Sequence, residues 1–110
     1  MNEENVLCAA SSYQQKYYFN PRFDKIPDRV KKELQILCVS FTEEAGGILV
    51  MEFSKDGELM IRVQADDNDY LFDEIESGLR IRRMQDENKE LFMQLETCYK
   101  VMFSKAQGSK

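Results

Sequence analysis

GGILVMEFSKDGELMIRVQAD, residues 46–66, is the stretch whose reading decides the fold. Two runs of alternating apolar residues flank a short polar piece containing glycine, which is the signature of a β-hairpin. Loop length then selects the register. A two-residue loop, Asp56-Gly57, sets Phe53 opposite Met60 and Met51 opposite Arg62, and both faces come out mixed. A three-residue loop, Lys55-Asp56-Gly57, sets Phe53 opposite Leu59, Met51 opposite Ile61 and Leu49 opposite Val63, giving one wholly apolar face. Side chains alternate along a strand, so a slip of one residue would turn that apolar set to solvent. The longer loop is also a known hairpin geometry, a type I turn closed by a left-handed residue, here Gly57. The second face carries Ile48, Val50 and Met60 among Glu52, Arg62 and Gln64, and is therefore half apolar.

Upstream of the hairpin, the pattern predicts a helix over 27–44. Pro27 suits a first helical position, where its missing N–H costs nothing, and Asp28 suits the positive end of the helix dipole. Ile26, Val30, Leu34, Leu37, Cys38 and Phe41 recur every three or four residues as one apolar stripe. Ile36 and Val39 lie off that stripe, so this helix is either sandwiched in the fold or touches a partner. Gly46 and Gly47 end it. Before it, Val6–Ala10 reads as a short strand, and SSYQQKYYFNPRF (residues 11–23) crowds five aromatic rings together. Tyr13 and Tyr17 are spaced as on a helix, whereas Tyr17-Tyr18-Phe19 suits an extended piece, and the residues support both. Core packing is the expected use of these rings, ahead of base stacking, because the chain is acidic.

Downstream, residues 70–104 read as helical, with faces that disagree. Leu71, Phe72, Ile75 and Leu79 define one side; Ile81, Met84, Leu91, Phe92, Leu95, Cys98, Tyr99 and Met102 define a side nearly opposite. A single straight helix would be about 50 Å long, against a radius of gyration of about 13 Å for a chain of this size. The reading is a break near Ser77-Gly78, with a helix 70–77 capped by Asn68 or Asp69, a helix 80–104, and a disordered tail from Lys105. The longer helix carries a heptad-like spacing with Asn88 at an a position, but its wide stripe points to intramolecular packing over a paired-helix seam. Arg80, Arg82 and Arg83 splay around the axis and are expected to pair with nearby acids.

The whole chain bounds the chemistry. With 110 residues it makes one domain, residues 1–104, of class α+β: helix, hairpin, then C-terminal helices packed on one face of a small antiparallel sheet. A two-stranded sheet is marginal, so a third strand is expected from the N-terminal segment or from a second subunit. The net charge of -5 argues against nucleic acid as a partner, and no apolar run approaches a membrane span. With an acidic start and no signal-peptide core, the expected compartment is the cytoplasm. Histidine is absent, which removes His-based catalysis and His metal ligation. Cys8, Cys38 and Cys98 are scattered and read as reduced, buried thiols. No catalytic constellation is present and no cofactor is implied, so the chain reads as a non-enzyme.

The acidic run DDNDYLFDEIE, residues 66–76, fails as an EF-hand: Tyr70 and Leu71 stand where a ligand and the glycine belong, and Ser77 where the glutamate belongs. Asp66, Asp67 and Asp69 remain as candidates for a looser divalent-cation site.

The pieces YYFNPRF, IPDRVKKELQILCVSFTE, GGILVMEF and YLFDEIESGLRI occur in one order across nearly the whole chain. In them the chain resembles a family of short uncharacterised proteins from clostridial anaerobes, catalogued as a domain of unknown function. The resemblance implies a bacterial cytoplasmic protein and transfers no activity or site.

The surplus of apolar positions off the main stripes therefore carries the functional expectation. Ile36, Val39, Ile48, Val50 and Met60 point to a small interaction or scaffold protein, self-associating as a homodimer or binding another protein. The alternative is a small ligand or divalent cation at the 66–76 segment.

Overall fold

The structure is a computed structural model that describes residues 5–108, with side chains described through residue 103. Its central feature is a four-stranded antiparallel sheet in the order β2-β1-β3-β4, formed by β1 (Val6–Ser11), β2 (Lys16–Phe19), β3 (Ile48–Phe53) and β4 (Leu59–Gln64). The β3–β4 hairpin takes the three-residue register: Phe53 faces Leu59, Met51 faces Ile61 and Leu49 faces Val63. Ser54 N–H donates to the Glu58 carbonyl, Gly57 N–H returns to Ser54, and Gly57 supplies the left-handed residue at φ 88°. The third strand comes from the same chain. The N-terminal segment contributes two strands, and β1 lies between β2 and β3, with Cys8 opposite Met51 and Ala10 opposite Leu49.

Helix α1 (Asp28–Ala45) crosses the apolar face of this sheet and buries Val30, Leu34, Cys38 and Phe41. Pro27 is its N-cap, not its first residue, and Gly46 (φ 78°) closes it by donating to the Thr42 carbonyl. Helices α2 (Glu74–Glu87) and α3 (Lys89–Gly108) complete the layer, burying Met84, Leu91, Phe92 and Leu95. The core joins these to Cys8, Ala10, Leu49, Met51 and Phe53 on the sheet. At one end, Phe23 sits among Phe53, Tyr99 and Phe103 with ring centroids 5.5, 6.3 and 5.7 Å away. The Glu96 carboxylate accepts from Leu59 N–H at 2.8 Å, which ties α3 to the start of β4.

Several boundaries differ from the sequence reading. The C-terminal helix does not start at Tyr70 or break at Gly78. Asp73 caps it, its carboxylate accepting from the N–H groups of Ile75 and Glu76, and Asp69 instead accepts from Leu71 N–H in the preceding turn. The interruption falls at Asn88, whose backbone leaves helical values (φ -124°, ψ 35°) and whose side-chain amide donates to the Met84 carbonyl. An asparagine side chain competes for backbone groups in this way, while a single glycine costs a helix only about 1 kcal/mol. Asn88 therefore ends a helix instead of setting register in a seam. The helix also continues past Lys105 to Gly108, as lysine, alanine and glutamine favour; residues 109–110, with 1–4, lie outside the described residues.

Gly78 is an ordinary helical residue with open space where a Cβ would project. Gly78→Ala is expected to stabilise the fold by about 0.5–1 kcal/mol, because alanine loses less backbone entropy on folding. A thermal melt checks this, and a lowered midpoint would show that the position needs glycine.

Candidate functional site

The acidic segment is held as a structural turn. The Tyr13 hydroxyl donates to the Asp69 carboxylate and accepts from Asp66 N–H at 3.1 Å, which joins the β1–β2 turn to the end of β4. That bond to Asp69 raises the Tyr13 phenol above its usual pKa. Asp66 and Asp67 point to solvent. Among the described residues no three Cys, Asp or Glu side chains converge to hold a metal ion.

The five apolar residues singled out from the sequence do not form one surface. Ile36 stands exposed on the outer side of α1, and Val39 lines a cleft of about 600 Å³ between α1 and the β1–β2 turn, with Tyr17, Gln35 and Thr42. Ile48, Val50 and Met60 lie on the sheet face opposite the helices, where the strand register places Tyr18, Ala9 and Arg62 beside them. Ile48 and Val50 are half covered by neighbouring strands, and Arg62 pairs with Glu52 at 3.6 Å. An antiparallel sheet commonly leaves one mixed face in water, so this face alone marks no function.

Beneath α1, the thiols of Cys8 and Cys38 lie 3.7 Å apart, both fully buried. The Tyr17 hydroxyl is buried nearby and has no hydrogen-bond partner among the described residues. Burial, with the thiols close by, pushes the Tyr17 phenol far up. Cys38 is pushed up by its contact with Cys8 and by burial. Nucleophilic chemistry needs a thiolate, so this arrangement opposes it. The folded chain keeps both protons where the unfolded chain, with Cys near about 8.5 and Tyr near about 10, releases them. Stability is therefore full below about pH 8 and declines as pH rises through the alkaline range. Urea midpoints measured from pH 6 to 11 check this, and a midpoint that climbs above pH 9 would contradict it.

The most exposed apolar surface is one the sequence pattern hid. Tyr70, Leu71, Ile75 and Leu79 are 89, 95, 78 and 57% exposed. Periodicity groups them as a stripe, and so they pass for core; in the fold only their neighbour Phe72 turns inward, packing near Gly47 and Val63. Helix α2 buries its other side, through Ser77 and Met84. The visible signal was the phase conflict itself, since one helix cannot bury two opposite sides on a single sheet.

No helix among the described residues is long and apolar enough to cross a membrane. Comparisons with curated proteins and with solved structures return no match. A family profile does match, over residues 4–107, and the chain belongs to that family, DUF6145, a family of unknown function.

Proposed function

We propose that this protein is a small self-associating interaction module, with the outer side of α2 and the turn before it as its docking surface. One observation carries the reading: Tyr70, Leu71, Ile75 and Leu79 leave large apolar side chains in water within ten residues of chain. Single exposed apolar residues are ordinary, but a contiguous cluster of this kind marks a contact surface. The cluster has a rigid base, because Asp73 caps the helix and the Arg80 guanidinium reaches Glu44 at 2.8 Å and Glu76 at 3.3 Å. The groups that do converge, Cys8, Cys38 and Tyr17, are buried beneath α1, where burial favours their protonated forms.

Sedimentation equilibrium from about 5 to 500 μM is the test, spanning the range of weak to moderate association. The expected result is a reversible monomer–dimer equilibrium that Ile75→Asp with Leu79→Lys shifts to monomer. The melting temperature of the dilute variant should stay within about 0.5 kcal/mol equivalent of the parent, as for exposed positions away from special features. A parent that stays monomeric throughout rules the reading out.

A further inference from the structure

We infer that the cavity between the end of β4 and the start of α2 takes a short segment of another protein, one that carries large apolar side chains beside lysine or arginine. The inference rests on the docking surface proposed above and names an occupant for it that competes with a second copy.

The cavity has a volume of about 780 Å³ and lies where the chain turns from β4 into α2. Its apolar wall is made by the half-buried Val63 and Phe72 with the exposed Tyr70, Leu71 and Ile75. Asp66, Asp73 and Glu74 make the charged part, and no lysine or arginine lines it. The imbalance extends beyond the cavity. Residues 63–79 contain six carboxylates and no basic side chain, so the chain's net charge of -5 is carried entirely by this stretch. Among the described residues only Glu76 of the six is in an ion pair, with Arg80 at 3.3 Å.

The fold itself uses part of this charge. Asp73 caps α2, and Asp69 accepts from the Tyr13 hydroxyl and from Leu71 N–H. The start of a helix supplies about half a positive charge, which leaves Asp66 and Glu74 uncompensated beside the apolar wall. Covering that wall takes these carboxylates out of water, and a buried charge is costly unless a counter-charge arrives with the cover. The occupant must therefore bring both apolar area and positive charge. Nucleic acid and an anionic lipid surface bring the wrong sign. A second copy brings the same carboxylates, so a basic segment is the better-matched occupant.

The test uses the full-length protein and a peptide of alternating leucine and lysine, followed by fluorescence anisotropy of a dye on the peptide. Two further peptides replace leucine by serine or lysine by glutamate. The leucine–lysine peptide is expected to bind about tenfold more tightly than either, and more weakly as salt rises. Asp66→Lys with Glu74→Lys, and separately Leu71→Ser with Ile75→Ser, are each expected to weaken it about tenfold. Asp56→Lys with Glu90→Lys makes the same change of charge at exposed sites elsewhere and should stay within about twofold of the parent. Circular dichroism checks that each variant is folded, and sedimentation in the same buffer reports whether bound peptide displaces a dimer. Equal binding of the serine–lysine peptide, or equal weakening by both charge variants, reduces the effect to general attraction and overturns the inference. Absence of binding overturns it as well, while a dimer in the same samples leaves self-association standing. A monomeric parent that binds the leucine–lysine peptide as expected removes self-association and upholds the inference.

Discussion

Phe23→Ala is expected to cost about 3–5 kcal/mol, the usual price of deleting a fully buried aromatic side chain. Phe23 has no exposed surface, and its ring meets three others on two elements: Phe53 at the end of β3, and Tyr99 and Phe103 on α3. Tyr99 also stacks on Phe53 at 4.4 Å, and the Arg22 guanidinium covers Phe103 at 4.3 Å. The cluster is the joint between the N-terminal half and the last helix. Removing its centre opens a cavity that rigid neighbours cannot fill. Since domains of this size are stable by only about 5–15 kcal/mol, urea unfolding should show a large fall in midpoint, with early loss of α3. Phe23→Leu should recover most of the loss. A deficit for the alanine variant below about 1 kcal/mol would show that α3 is held elsewhere.

Gly47→Ala should also be severe, by about 3 kcal/mol, from backbone strain and a clash acting together. Gly47 has φ 86°, and a Cβ there would lie 2.9 Å from the Gln64 carbonyl oxygen and 2.9 Å from the Phe72 ring. The carbonyl belongs to the backbone at the end of β4 and cannot swing away. Gly46→Ala is the control: Gly46 has φ 78° and ψ 178°, a region almost reserved for glycine, but no atom lies within 4 Å of its Cβ position. It should cost only the strain, about 1–2 kcal/mol. Equal losses for the two variants would remove the clash from the explanation. The comparison also bears on function, because Phe72 anchors the turn that presents Tyr70 and Leu71.

The hairpin and α1 were legible for local reasons. Leu49, Met51 and Phe53 can share a face with Leu59, Ile61 and Val63 in one register only, and Gly57 selects the loop that produces it. The α1 stripe and its Gly46 terminus are set by residues three and four apart. The helix start after residue 69 was misplaced because three acidic or amide residues, Asn68, Asp69 and Asp73, can each cap a helix, and Phe72 had to reach Gly47 and Val63 before the helix began. The break was misplaced because Gly78 is the stronger helix breaker by propensity. Packing of Ser77 and Met84 carries α2 through Gly78, and Asn88 takes the Met84 carbonyl where α3 must turn.

The candidate surface divides in the same way. From the sequence, the off-stripe positions Ile36, Val39, Ile48, Val50 and Met60 were the visible surplus, but periodicity does not say which of two stripes meets a sheet. The pairing of β1 with β3, which joins residues some forty apart, widened the sheet and half covered Ile48 and Val50, while α2 packs by its Met84 side beside α1 and α3. By itself the sequence determined the α+β class, the hairpin register and α1, because period, turn chemistry and capping act between near neighbours. Strand order, the turn at Asn88 and the exposure of Leu71, Ile75 and Leu79 were decided by the tertiary structure, because each depends on which distant surface a segment meets.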